Sequence, residues 1–156
     1  LLKEILTIAK IKKKIITVDP KEEHFSYYKG VTAITPNHHE AAQAIGMKAK
    51  DSQSILKIGK KLLKKLNCEG VLVTLGENGM QLFQKNGAIT HIPTVAQEVF
   101  DVSGAGDTVI SAFTLALALG VDMKDAAYIS NIAAGIVVGK VGIAVITQKE
   151  LIERLR

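Results

Sequence analysis

The sequence predicts an α/β domain with a largely parallel sheet, because short β-branched runs alternate with segments of helical periodicity. The runs at 15–18 and 71–75 lack alternating polar residues, which is typical of parallel strands covered by helices on both faces. The helix predicted over 108–119 is nearly all apolar, so we expect it to be central and buried. The chain has 156 residues with no internal repeat or linker, which fits one domain or part of a larger one.

The amino-terminal third begins with a helix and two short strands. Residues 1–12 have the apolar spacing of an amphipathic helix. The β-branched runs at 15–18 and 31–34 predict strands, because each ends at a turn that contains proline. Between them, 22–29 is a polar and aromatic connection with room for a helical turn.

Two helices follow, each with a recognisable cap. Asn37 is a suitable N-cap for a helix to Ile45, which a glycine then ends. Asp51 or Ser52 caps a longer helix that reaches Leu66.

The remaining elements alternate in the same way. The apolar run at 71–75 predicts a strand, and 80–84 with 89–92 predict a hairpin around a turn that contains Asn-Gly. Helices are predicted over 108–119 and 122–138, and a short helix closes the chain.

The composition excludes several classes of protein. Hydrophobic residues make up 47% and charged residues 22%, as in ordinary globular chains. The single cysteine, Cys68, excludes an intrachain disulfide, so we expect a cytoplasmic setting and an inert thiol. No apolar run is long enough to span a membrane and no signal peptide opens the chain. We therefore expect no membrane partner, and the initial Leu1 suggests a processed, trimmed or incomplete start.

The net charge of +5 comes mainly from lysine. Nucleic-acid readers usually combine arginine forks with stacking aromatics, whereas aromatics are only 4% of this chain. The densest lysines lie opposite the apolar face of one predicted helix, which indicates a solvated surface and no nucleic-acid partner. They are Lys57, Lys60, Lys61, Lys64 and Lys65.

The segment Gly104-Ala105-Gly106-Asp107, between a loop and a helix start, carries the predicted chemistry. Glycines let backbone approach a ligand closely, and the first N–H groups of a helix have no partner within it. With the positive end of the helix dipole, these groups predict an anion site suited to a phosphoryl group, and Asp107 adds a carboxylate that can accept a proton. The alternative is that Asp107 only caps the helix and that the glycines only permit close packing.

Four segments, in chain order, resemble motifs of the ribokinase-like (phosphofructokinase-B type) carbohydrate kinases. They are Thr35-Pro-Asn37-His-His-Glu40, Thr74-Leu-Gly76-Glu-Asn-Gly79, Asp101-Val-Ser-Gly-Ala-Gly-Asp107-Thr108, and Asn131 with Ala133-Ala134. The resemblance implies a three-layer αβα fold with a mostly parallel sheet. Residues 1–156 would form its carboxyl-terminal, nucleotide-binding part, since the family's glycine-rich first signature, most sugar contacts and β lid have no counterpart here.

The resemblance also implies a role for the signature segment. Asp107 would accept the proton of the sugar hydroxyl that attacks the γ-phosphate of ATP. The N–H groups of Ala105, Gly106 and Asp107, which follow Gly104, would hold the developing anion. Such a core suits phosphoryl transfer, which depends mostly on positioning and charge stabilisation.

The other matched residues would bind the nucleotide and ions. Asn37 and Glu40 would organise Mg²⁺ through water, and Thr74, Gly76 and Gly79 would contact the ribose and phosphates. Asn131 would line the adenine pocket, and Asp101 with Lys140–Gly142 would form a loop for a monovalent cation. ATP and Mg²⁺ are thus the implied cofactors, with K⁺ as a third that the sequence leaves open.

Several of these residues also have a structural interpretation. Asn37 with Glu40 fits an N-cap and a first-turn acidic residue, and the segment from Thr74 to Gly79 fits turn chemistry. We expect no metal at His38 and His39, because adjacent side chains on a helix point apart.

Within the family, the run from Val18 to Asn37 is most similar to heptose 7-phosphate kinases, which make the 1,7-bisphosphate for lipopolysaccharide core precursors. The predicted function is ATP-dependent phosphorylation of a sugar hydroxyl, with D-glycero-D-manno-heptose 7-phosphate as the expected substrate. The alternatives are another sugar or nucleoside kinase of the family, a non-catalytic nucleotide-binding module, and a basic nucleic-acid binder. Without upstream strands, we expect an exposed sheet edge, self-association as in a homodimer, weak ATP binding and poor turnover by the isolated chain.

Overall fold

The computed structural model describes residues 2–96, 99–142 and 144–155 and confirms the α/β class. The strands are β1 (Thr17–Val18), β2 (Ala33–Ile34), β3 (Gly70–Thr74), β4 (Met80–Gln84) and β5 (Ile89–Ile92). The helices are α1 (Leu2–Ile11), α2 (His38–Ile45), α3 (Ser52–Leu66), α4 (Ala105–Ala118), α5 (Met123–Val138) and α6 (Gln148–Leu155). Two 3₁₀ helices lie at Glu22–Tyr28 and Gly76–Asn78.

The five strands form one sheet in the order of the chain. β1, β2 and β3 are parallel, and Val18, Ile34 and Val71 lie side by side across them. β4 and β5 extend the sheet as an antiparallel hairpin. The sheet therefore combines a parallel half, whose carboxyl ends lie at one edge, with the hairpin that the sequence predicts.

Two apolar layers cover the sheet, as the alternating side chains of β3 show. Val71 and Val73 belong to the core under α2 and α3, whereas Leu72 belongs to the core under α4 and α5. The largest buried ring on the first side is Phe83 and on the second Phe113. Three layers result, with the sheet in the middle.

The caps of α2 and α3 confirm the predictions made from local sequence. Asn37 caps α2, and Gly46 ends it in the left-handed conformation with a φ of 66°. For α3, Asp51 is the N-cap, and its carboxylate accepts the N–H of Ser54. Both helix starts have reciprocal capping boxes.

The prediction that helices cover both faces of strand 15–18 and that helix 108–119 is central and buried holds only in part. β1 is only two residues long, lies at the sheet edge, and is half-buried. On α4, Phe113 is fully buried but Leu115 is 63% exposed and Leu119 is 75% exposed. The reason is that no other described element covers the free edge of β1 or the outer face of α4.

Other expectations from composition agree with the structure. The lysines of α3 are exposed while its apolar face is buried, and Lys65 donates to the carbonyl of Ala44. Cys68 is buried, and burial raises the pKa of its thiol to about 11, as expected for an inert thiol. No helix in the described ranges has both the length and the apolar character to cross a bilayer.

Candidate active site

An open groove of about 1200 Å³ lies at the carboxyl edge of the parallel strands, between the turn after β3 and the start of α4. Ligands of open α/β sheets bind at this edge. Six residues predicted for the site share its walls: Thr74, Gly76, Gly79, Ala105, Gly106 and Asn131. The other five lie beside the groove and do not line it: Asn37, Glu40, Asp101, Gly104 and Asp107.

The start of α4 leaves two backbone amides available to a ligand. Gly104 is the N-cap residue, in the left-handed region with a φ of 78°, and no side chain caps the helix. The first intrahelical bond runs from Thr108 N–H to the Gly104 carbonyl. The N–H of Ala105 donates to the Val102 carbonyl at 3.2 Å, so Gly106 and Asp107 are the residues whose amides remain for an anion.

The glycines of the site fall into two kinds. A Cβ added at Gly76, Gly104 or Gly106 would meet no atom within 4 Å, so close packing within the described chain does not explain them. A Cβ at Gly79 would lie 2.1 Å from the Ile92 carbonyl oxygen, which makes Gly79 a packing glycine of the β3–β5 region. The open space over Gly106 leaves room for a phosphoryl group.

Asp107 is exposed in the first turn of α4, and a second carboxylate lies near it. Burial raises the pKa of Asp19, and the charge of Asp107 raises it further, whereas Lys21 lowers it. The Lys21 ammonium lies 3.9 Å from the Asp19 carboxylate. Asp19, where β1 ends, and Asp107, where α4 begins, therefore lie close enough to interact electrostatically.

Thr35, directly after β2, is a third polar residue near Asp19 and Asp107. Its side chain is buried, and among the described residues its hydroxyl lacks a partner with hydrogen-bond geometry. It lies on the side of Asp19, where it lowers the pKa of that carboxyl.

Asn37 and Glu40 form the capping box of α2. The Asn37 Oδ1 accepts the N–H groups of His39 and Glu40, both at 2.9 Å. The Glu40 Oε2 accepts the N–H of Asn37 at 2.8 Å. Asn37 and Glu40 thus have the helix-capping role that local sequence suggests. Capping engages one of the two carboxylate oxygens of Glu40.

Thr74 and Asn131 line the groove and make hydrogen bonds to the segments beside it. The N–H of Thr74 donates to the Pro36 carbonyl at 3.0 Å, which fixes the turn after β3 beside the start of α2. The amide of Asn131, a buried residue of α5, donates to the Pro93 carbonyl at 2.8 Å. Both positions belong to the groove walls, as the sequence motifs imply.

The two segments predicted for a monovalent cation lie next to each other. The N–H groups of Phe100 and Asp101 both donate to the Val138 carbonyl, at 2.8 and 3.3 Å, and Lys140–Gly142 follows. The Asp101 carboxylate accepts the Ser103 N–H at 2.8 Å, a bond that lowers the pKa of Asp101.

The imidazoles of His38 and His39 do not point apart as the sequence suggests. Their ring centroids lie 3.9 Å apart, because the two residues are at the first turn of α2, where side chains have room to fold together. Burial lowers the pKa of His38, and the neighbouring His39 lowers it further. Within the described residues, no group of three or more His, Cys, Asp or Glu side chains could hold a metal ion.

Asp19 is the site residue that the sequence reasoning missed. The sequence pattern assigns Asp19 only to the turn that ends the first strand, together with Pro20, and to the run from Val18 to Asn37. The signal was its position: Asp19 and Thr35 each come directly after a parallel strand, and such residues meet at one edge of the sheet.

The fold is that of an α/β protein of the ribokinase-like class. The structure is similar to Arabidopsis thaliana ribokinase, solved with ribose and ATP, with a TM-score of 0.87 at 22% identity over 99% of this chain and 52% of that chain. It is also similar to ribokinase from Thermotoga maritima, with a TM-score of 0.79 at 29% identity over 97% of this chain and 52% of that chain.

The chain belongs to the pfkB family of carbohydrate kinases, whose model matches residues 1–149. Curated relatives include bifunctional protein HldE of Desulfatibacillum aliphaticivorans, 47% identical over 100% of this chain and 32% of the relative. The protein of the same name from Geobacter metallireducens is 44% identical over 97% of this chain and 31% of the relative. The chain thus spans about a third of these relatives and about half of the ribokinases.

Proposed function

We propose that this chain carries the nucleotide-binding part of an ATP-dependent sugar kinase. The observation that supports this most is the start of α4, where the free amides of Gly106 and Asp107 and an exposed carboxylate adjoin a groove shared with Gly76 and Asn131. A helix start of this kind is suited to a phosphoryl group.

The proposed mechanism assigns the two sides of the α4 start to the two substrates. ATP occupies the groove, with its base toward Asn131 and its phosphates toward Gly106. The sugar approaches from the side of Asp19, so that its acceptor hydroxyl lies next to the γ-phosphate and within hydrogen-bond reach of Asp107. The hydroxyl oxygen bonds to the γ-phosphorus as the bond from that phosphorus to ADP breaks. Asp107 accepts the hydroxyl proton late in the transfer, while the amides of Gly106 and Asp107 stabilise the charge on the phosphoryl oxygens.

The residues present fit Mg²⁺ that is bound mostly by water and phosphate. No three-ligand protein cluster occurs in the described ranges, and Mg²⁺ commonly keeps several waters and one or two carboxylates. Glu40 would hold it through the carboxylate oxygen that the capping box does not use, with Asn37 beside it. When bound, Mg²⁺ would neutralise charge on the nucleotide phosphates. Asp101 with Lys140–Gly142 is the proposed site for K⁺.

The proposed acceptor is D-glycero-D-manno-heptose 7-phosphate, which would be converted to the 1,7-bisphosphate. This choice is based on the resemblance of the Val18–Asn37 segment to heptose 7-phosphate kinases. It is supported by the higher identity to the relatives named bifunctional protein HldE, 44% and 47%, than to the two ribokinases, 22% and 29%.

The test is sugar-dependent ADP formation by the protein that contains this chain, with heptose 7-phosphate compared with ribose, fructose 6-phosphate and adenosine. We expect heptose 7-phosphate to give the highest kcat/KM. Asp107→Asn should reduce turnover by about 10³-fold or more, the scale reached when a base and its positioning are lost together, and should leave ATP affinity nearly unchanged. Equal turnover by Asp107→Asn would contradict the mechanism, and ATP binding without any sugar-dependent turnover would indicate a binding module.

A further inference from the structure

One pair of hydroxyls joins the helix of the proposed base to the sheet. Thr17 of β1 and Thr114 of α4 lie 2.5 Å apart, oxygen to oxygen. The Thr114 hydroxyl donates to the Ile110 carbonyl at 2.5 Å, and a hydroxyl has one proton to give. Thr17 is therefore the donor to Thr114. In the described part of the chain, this is the only side-chain hydrogen bond between α4 and another element.

The rest of the contact between α4 and its neighbours is apolar, through Val109, Phe113, Ala116 and Leu117. Apolar contact is less directional than a hydrogen bond, so it fixes the position of the helix along its axis less sharply. A hydrogen bond between two half-buried hydroxyls has a narrow range of distance and angle. The Thr17–Thr114 bond is thus suited to fix the axial position of α4.

The spacing of these residues relates the bond to the proposed base. Asp107 and Thr114 are two helical turns apart on one face of α4, which separates them by about 10 Å along the axis. Thr17 and Asp19 are two residues apart and so face the same side of the extended chain. The Thr17–Thr114 bond therefore joins β1 to α4 on the faces that also carry Asp19 and Asp107, which interact electrostatically.

We propose that the Thr17–Thr114 hydrogen bond is a positioning contact for phosphoryl transfer, which sets how far α4 extends toward the strand ends. It thereby places the amides of Gly106 and Asp107, and the Asp107 carboxylate, at the reacting groups. The proposal rests on the proposed function. Thr17 and Thr114 are positioning residues that act through the helix and do not touch substrate.

The test uses Thr17→Val and Thr114→Val, which keep the branched shape and remove the hydroxyl, in the protein that contains this chain. We expect kcat to fall about tenfold or more, because small misplacements of reacting groups cost up to about 100-fold, while KM for ATP changes less than about twofold. Thr114→Ser should restore kcat to within about twofold. The double variant should be no slower than the slower single variant, since both remove one bond.

Thr7→Val is the matched control. Thr7 makes the same kind of bond within its helix, to the Lys3 carbonyl at 2.9 Å, and its side chain makes no hydrogen bond to another element among the described residues. Its kcat should equal that of the wild type. Unchanged kcat in both valine variants, additive losses in the double variant, or failure of Thr114→Ser to recover would each overturn the proposal.

A second measurement separates this proposal from the proposed function. In the 156-residue chain without nucleotide, Thr114→Val should shift the ¹H–¹⁵N resonances of Gly106 and Asp107, whereas Thr7→Val should not. If the wild-type protein showed no phosphotransfer, the proposed function would fail, and these shifts would still report whether the bond positions the helix start. Unshifted Gly106 and Asp107 resonances would overturn the positioning role whatever the activity.

Discussion

Asp19 is a partly buried carboxylate that feels the charge of a second carboxylate, Asp107. Burial raises its pKa above the ordinary 3.8, and the charge of Asp107 adds to this effect. A raised pKa means that the folded state holds the proton more tightly than the unfolded state, so the ionised form opposes folding. The combination is typical of functional sites, where charge placement takes precedence over stability.

Asp19→Asn should therefore raise the melting temperature at pH 7, because it removes the charge that burial and Asp107 disfavour. The gain should shrink as the pH falls through the pKa of folded Asp19 and disappear below about pH 3.8, where both states are protonated. Thermal melts across this pH range check the prediction. Lys21→Gln should have the opposite effect at pH 7, because Lys21 lowers the pKa of Asp19. A gain over the wild type that is no larger at pH 7 than at pH 3 would contradict this interpretation.

Gly106→Ala should separate ligand binding from stability. The added Cβ meets no atom within 4 Å, and alanine is favoured over glycine in a helix by up to about 1 kcal/mol. The free energy of unfolding should rise or stay the same, while ATP affinity should fall because the methyl group occupies the space over the amides. Denaturant unfolding and calorimetric titration measure the two effects.

Gly59→Ala is the matched control within another helix. Its Cβ would lie 2.2 Å from the Phe83 ring, so overpacking should cost about 1–3 kcal/mol of stability. ATP affinity should be kept where the protein remains folded. If Gly106→Ala bound ATP as tightly as the wild type, the space over Gly106 would not be a ligand site.

Among the elements, α6 is tied to the loop after α5 by a small network. The Lys140 ammonium contacts the Glu150 carboxylate at 2.6 Å and donates to the Val145 carbonyl at 2.9 Å. The other carboxylate oxygen of Glu150 accepts the N–H and hydroxyl of Thr147, at 2.8 and 2.7 Å. These bonds, with Lys140 first, lower the pKa of Glu150 to about 2.

Glu150→Gln should lower the melting temperature at neutral pH and have no effect near pH 2. The lowered pKa means that the stabilising contribution is complete above the ordinary value of 4.5 and is lost as the pH falls toward about 2. The control is Glu153→Gln on the same helix, whose exposed pair with Lys149 spans 4.0 Å and should contribute little. Equal effects of the two variants would count against the network.

Element bounds were predictable where the signal is local. The caps of α2, α3 and α5 are short polar patterns at the helix starts, and the structure places Asn37, Asp51 and Asp122 there. Burial was less predictable, because it depends on which element covers which face. The apolar composition of α4 suggested burial on all sides, yet Leu115 and Leu119 are exposed.

The candidate site was predictable at the level of motifs, because the glycine turn and the α4 start carry their own signals. Asp19 and Thr17 were not, since their roles arise only when β1 and α4, far apart in the chain, lie side by side. The sequence also could not show that the Ala105 N–H donates to the Val102 carbonyl, because this bond depends on the geometry of the loop before α4.

For the whole molecule, the unpaired edge of the sheet at β1 is the feature that most favours self-association. β1 pairs with β2 on one side only among the described strands, and α4 exposes Leu115 at 63% and Leu119 at 75%. Unpaired strand edges and apolar patches promote association.

The chain alone should therefore sediment above its monomer mass of 16.8 kDa as concentration rises. Leu115→Lys should shift it toward the monomer, because a charge on that face opposes apolar contact. Lys60→Glu, on the solvated face of α3, should not. A monomer at all concentrations, or an equal response to both variants, would contradict this expectation.

The central claim is that the amides at the start of α4 hold the transferring phosphate. A ¹H–¹⁵N titration of the chain with ATP and Mg²⁺, followed at Gly106 and Asp107, addresses it at the atoms concerned. We expect both resonances to shift with ATP and to stay in place with adenosine, which lacks phosphates, while Asn131 responds to both. Gly106 and Asp107 resonances that stay in place at saturating ATP, or that move equally with adenosine, would contradict the claim.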